Sequence, residues 1–118
     1  MTEAEYVEEF KNRWPRMAAN EASNDTLQLA DAAVQAFPLS ARLWDIRGDL
    51  IQFGPESMPQ PLEDALASYQ RAVAVDPEFA TAWDSIGHYY DVHLDNEVAA
   101  RRHFARAAWL RRHGERAT

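Results

Sequence analysis

The sequence predicts an all-α protein, an α-solenoid of about three antiparallel helix-turn-helix hairpins in a single domain. Three observations lead there. Shifting the chain by 39 residues brings nine identities into register across residues 25–48, among them Pro38/Pro77, Ala41/Ala80, Trp44/Trp83, Asp45/Asp84 and Gly48/Gly87. Between the repeated blocks, apolar residues fall at helical spacing, as in Leu66, Tyr69, Ala72, Val73 and again in Trp83, Ile86, Tyr90. A proline precedes each such stripe, placed to stop one helix and start the next. With 118 residues, 47% of them hydrophobic, the chain is long and apolar enough to bury one core.

The elements follow in order. A first helix is expected over 3–14, ended by Trp14-Pro15, because the residue before a proline avoids the helical region. A second, 24–36, carries Leu27, Ala33 and Val34. The third, 40–53, follows Pro38 and carries Trp44, Gly48 and Ile51. The turn FGPESMPQP (53–61) reads as a stiff insertion with three prolines. The fourth helix, 61–75, begins at Pro61, with Glu63 and Asp64 favourable in its first turn. The fifth, 79–93, follows Pro77, and the sixth, 96–112, is capped by Asp95 or Asn96. The hairpins therefore divide as 1–38, 39–78 and 79–112, with a basic tail over 113–118. Gly48 and Gly87 lie inside helices, where glycine costs about 1 kcal/mol relative to alanine. That cost, met twice at equivalent places, predicts a neighbouring backbone close by, with Ala65 and Ala100 on the facing helices. Trp44 and Trp83 are expected to fill the hairpin ends.

These residues resemble the tetratricopeptide repeat, a helix-turn-helix unit of 34 residues. The third hairpin matches through Ala80, Trp83, Ile86, Gly87, Tyr90, Ala100, Phe104 and Ala107. The second matches through Trp44, Gly48, Ile51, Ala65, Tyr69, Ala72 and Pro77. The first is degenerate, keeping only Leu27, Ala33 and Pro38. The resemblance covers residues 24–112. Arg47 stands where the family places an apolar residue, which calls for a rotated helix or an ion pair.

Composition narrows the function classes. There are no cysteines, hence no disulfide and no thiolate metal site. The N-terminus is acidic without an apolar run, and no segment reaches membrane-spanning length, so a cytoplasmic location is expected. Residues 1–100 hold 18 acids and six bases, whereas residues 101–118 hold one acid and six arginines. An acidic body disfavours nucleic acid. The terminal arginines complement the dipole of the last helix.

Chemistry finds little support in the pattern. His88 shares a helix face with Asp84 and Asp91, with His93 and Asp95 near its end, a spacing that could hold a metal. No second helix offers further ligands, and neither a metal nor another cofactor is expected. Ser57, Ser68 and Ser85 lack a base and an orienting partner, and the four glycines are solitary, so no phosphate-cradling loop is present. An enzyme is not expected.

The resemblance implies a concave groove lined by the first helices of successive hairpins. Arg42, Asp45, Asp49 and Gln52 fall there from one helix, and Thr81, Asp84, His88 and Asp91 from the next. The expected function is a non-enzymatic interaction module docking a basic peptide or helix onto this acidic, solvent-facing surface. Neutralising Asp45 and Asp84 should then leave stability unchanged. The carboxylate-clamping subgroup is not implied, since Asp45, Asp49, Thr81 and Ser85 occupy its lysine and asparagine places. The alternatives are a dedicated chaperone or neutralising partner of one protein and, more remotely, a metal-dependent enzyme. Ala108, Trp109 and Leu110 mark an edge at which a two-fold homodimer is expected.

Overall fold

The computed structural model describes residues 1–18, 23–54 and 60–113, without the side chains of 14–18, 23 and 24. Six helices make up the ordered elements: α1 (Glu3–Ala18), α2 (Ser23–Ala36), α3 (Ala41–Gln52), α4 (Glu63–Val75), α5 (Ala80–His93) and α6 (Glu97–His113). No strand occurs among the described residues, and no helix is long and apolar enough to cross a membrane.

Side-chain caps account for three of the helix starts. In α1 the Thr2 hydroxyl accepts from Glu5 N–H at 3.1 Å while the Glu5 carboxylate accepts from Thr2 N–H at 2.8 Å, a reciprocal capping box. Ser40 caps α3 through the Leu43 N–H, and Asn96 caps α6 through the Ala99 N–H. Asp95, at φ 48°, makes the left-handed step that lets the chain turn before α6.

The expected break at Trp14-Pro15 does not occur, because α1 runs on through Ala18. Pro15 removes one N–H, whose partner in a regular helix would be the Lys11 carbonyl. The Lys11 side of the helix faces solvent, where water can take up that carbonyl. The inserted turn is described only at its ends, and residues 55–59 and 114–118, the latter nearly all of the basic tail, lie outside the described residues.

Consecutive helices pack in sequence. α3 lies along α4 and α5 along α6, α2 packs on α3 and α4 on α5, and α3 also touches α5. α1 packs on α2 and α3, whereas α6 packs only on α5. The buried side chains gather in successive clusters, the first around Tyr6, Val7, Phe10, Leu43 and Leu50, the next around Tyr69 and Ile86, and the last around Ala80, Ala107 and Leu110.

The repeat is visible in the contacts. The Trp44 indole N–H donates to the Pro38 carbonyl at 2.9 Å, and the Trp83 indole N–H to the Pro77 carbonyl at 2.8 Å. Each tryptophan thus fastens its helix to the turn before it. Arg71 lies over the Trp44 ring and Arg106 over the Trp83 ring, at 5.7 and 5.9 Å.

The glycines play a different part from the one expected. A Cβ at Gly48 would stand 2.4 Å from the Tyr69 ring, and one at Gly87 would stand 2.6 Å from the Phe104 ring. An aromatic side chain, not a neighbouring backbone, fills each gap. Fully burying a large apolar side chain, as happens to Tyr69, is worth roughly 1.5–3 kcal/mol, more than the helical glycine costs, whereas Phe104 is half-buried.

Arg47 is resolved as an ion pair. Its Nε donates to Asp31 at 2.8 Å and a terminal nitrogen donates to the Ser68 hydroxyl at 2.6 Å, tying α2, α3 and α4 together.

Candidate functional site

A groove of about 980 Å³ runs over α1, α3 and the start of α5. Val7, Phe10, Ile46 and Phe79 give it apolar walls, Lys11, Arg42 and Arg111 bring cations, and Asp45, Asp49 and Thr81 complete it. The placement follows from helix periodicity. Arg42, Asp45, Ile46 and Asp49 are three or four residues apart and share one face of α3, as Val7, Phe10 and Lys11 do on α1.

Asp45 is buried, with 5% of its surface exposed, and its Oδ1 accepts from the Ser85 hydroxyl at 2.7 Å. The same hydroxyl lies 3.1 Å from the Thr81 carbonyl. Asp49 is half-buried, and its Oδ1 lies 2.6 Å from the Tyr69 hydroxyl, which is also 2.7 Å from the Gln52 side-chain oxygen. A phenol carries one hydrogen. The other contact takes its hydrogen either from a proton retained on Asp49 or from the Gln52 amide turned nitrogen-first.

No lysine or arginine pairs with Asp45 or Asp49 among the described residues. Burial, then the neighbouring Asp49, pushes the Asp45 pKa up to about 7, with Asp84 adding to the rise and the Ser85 bond opposing it. Burial likewise raises Asp49, while the Tyr69 hydrogen bond and His88 hold it down. Burial and then Asp49 push the Tyr69 phenol far above its usual range.

The expected acidic face is brought together only in part. Arg42, Asp45, Asp49 and Thr81 line the groove, and Gln52 reaches it through Tyr69. Asp84 is paired instead with Arg111 of α6, at 2.5 Å. His88 is exposed and stands edge-on to Phe104, with ring centroids 5.1 Å apart. Asp91 is exposed and does not line the groove. The groove is thus of mixed sign, and Asp45 is not on a solvated surface. Its neutralisation bears on stability, contrary to the expectation from sequence. Nor do Asp84, His88 and Asp91 converge, since no group of three metal-ligating side chains forms among the described residues.

At the expected oligomer edge, Leu110 is 1% exposed and packs with Ala80 and Ala107. It belongs to the core because it follows Ala107 by three residues on the inward face of α6. Ala108 is half-buried, and Trp109, at 47% exposure, is the member of the trio that faces outward.

Several groove residues carry no warning in the sequence. Lys11, Val7 and Phe10 come from the degenerate hairpin, and Arg111 reaches Asp84 across 27 positions from another helix. Tyr69 and Ser85 had a usable signal, since a buried phenol and a hydroxyl beside a carboxylate usually bond a partner. Comparison of the chain with protein-family models, with curated proteins and with solved structures finds no match.

Proposed function

We propose that this chain is a non-enzymatic protein-interaction module of tetratricopeptide type that docks a peptide segment or helix in the α1–α3–α5 groove. The supporting observation is an open groove with apolar walls over two carboxyls that pair with no lysine or arginine among the described residues. The half-buried Ile46 and Phe79, backed by the buried Val7 and Phe10, offer apolar area for the guest's hydrophobic side chains, the main source of affinity in such grooves. Asp45 and Asp49 offer an ion-pair site for a lysine or arginine placed among those side chains. Buried charges are normally paired, so a guest cation would supply what the fold leaves out. The geometry narrows the sequence expectation from a basic segment to one basic side chain at the floor, because Lys11 and Arg42 repel further positive charge at the rim.

Selection from a random peptide library tests this reading. Enriched peptides should combine apolar residues with a lysine or arginine. They should lose binding to Thr81→Trp, which fills the groove from an exposed position without touching the core. Peptides that bind Thr81→Trp as tightly as the parent would move the site elsewhere.

A further inference from the structure

The charge of the molecule is divided between its two ends. Residues 1–36 carry seven acids and three bases, whereas α6 carries one acid and five arginines. Among the described residues α6 packs on α5 and makes no helix contact with α1 or α2, although Arg111 on its inward side reaches the groove that α1 also lines. Glu5 and Glu8 of α1 and Asp25 of α2 are exposed at one end. At the other, Arg102 and Arg112 are exposed on the outward face of α6, beside Val98 at 65% and Trp109 at 47% exposure. Val98, Arg102, Ala105 and Trp109 recur at helical spacing, so this face is one stripe, apolar within a basic border. Among the described residues no other helix packs on it, and Trp109 touches only its own helix, with Arg106 over its ring at 5.4 Å and the His113 ring at 5.0 Å.

We propose that the stripe on α6 docks a second copy of this chain head to tail, against the acidic α1–α2 end of that copy. Two arguments select this occupant. A two-fold pairing of α6 with α6 would bring two arginine-bearing faces together, and like charges across an interface oppose association. The head-to-tail contact instead places the arginines opposite Glu8 and Asp25, with Trp109 as the aromatic anchor. Because this interface is heterologous, each contact leaves one acidic and one basic end free. Assembly then proceeds to rings or open chains instead of stopping at a dimer.

Sedimentation velocity on the full chain and two charge-reversed variants tests the proposal. Arg102→Glu with Arg112→Glu reverses the basic end, and Glu8→Lys with Asp25→Lys reverses the acidic end; all four positions are exposed. The parent should form species that grow with concentration and shrink with added salt. Each variant alone should be monomeric, and an equimolar mixture should recover the association of the parent, since the native ends complement each other across the two variants and the reversed ends do so too. Two outcomes overturn the idea. One is an acidic-end variant that still dimerises, which would be two-fold pairing through α6. The other is a parent that stays monomeric at every concentration, which would leave the stripe for a different protein. Thermal melts establish that the variants are folded. Should either fail to fold, Trp109→Ser must by itself weaken self-association of the parent, and an unchanged distribution with Trp109→Ser likewise overturns the proposal.

Discussion

Buried, with no lysine or arginine paired with it among the described residues, the Asp45 carboxyl keeps its proton to higher pH than an aspartate in water, although its Oδ1 accepts from Ser85. The groups that face it explain why. Asp49 lies one turn along α3, Asp84 lies on α5, and Arg111, the cation from α6, is drawn off to Asp84. The native state therefore binds this proton more tightly than the unfolded chain does. Its stabilising contribution is fully present below the ordinary aspartate pKa and is lost as pH rises through about 7. The size is on the order of a few kcal/mol. Asp45→Asn keeps an oxygen for Ser85 and removes the charge. Its melting temperature should exceed the parent's near pH 8, and its loss of stability between about pH 5 and 8 should be smaller. Parallel melting curves for the two proteins across that range would show that Asp45 ionises without penalty. Sequence placed Asp45 on the right helix face but in the wrong environment. Helical spacing gives direction, whereas burial depends on how closely α5 approaches α3.

At the scale of elements, the glycine–aromatic contacts hold each hairpin together. Alanine is the better helix former by about 1 kcal/mol, so Gly48→Ala and Gly87→Ala would stabilise an isolated helix. Here the added methyl would meet the Tyr69 or Phe104 ring well inside van der Waals distance. Overpacking of this kind costs about 1–3 kcal/mol, so both variants should unfold at lower denaturant concentration than the parent. Shortening the ring in a Gly87→Ala, Phe104→Leu double variant should recover part of the loss, and strict additivity would mean that the two side chains do not meet. The glycines were conspicuous in the sequence, but what filled the gap was not. Their partners lie 21 and 17 residues away, a difference created by the inserted turn, which hides the equivalence of Tyr69 and Phe104 from a fixed 39-residue shift. Helix bounds were legible wherever a cap or proline marked them. At Pro15 the same rule misled, because a helix tolerates one missing N–H when the orphaned carbonyl faces water.

For the whole molecule, the all-helical class and the order of six helices followed from periodicity and the internal repeat, both properties of neighbouring residues. The groove did not. It needs α1, α3, α5 and α6 at once, and the contribution of α1 came from the hairpin that matched the repeat least. Its mixed sign arises because Lys11 of α1 and Arg111 of α6 join Arg42 around Asp45 and Asp49, a juxtaposition that no local pattern encodes. The central claim is that this groove receives the guest, and amide shift mapping by heteronuclear NMR with a library-selected peptide tests it most directly. The account predicts shifts concentrated at Val7, Lys11, Arg42, Ile46, Asp49 and Thr81, with the outward face of α6 unmoved. Shifts clustered instead around Val98, Arg102 and Trp109, with the groove amides silent, would contradict it.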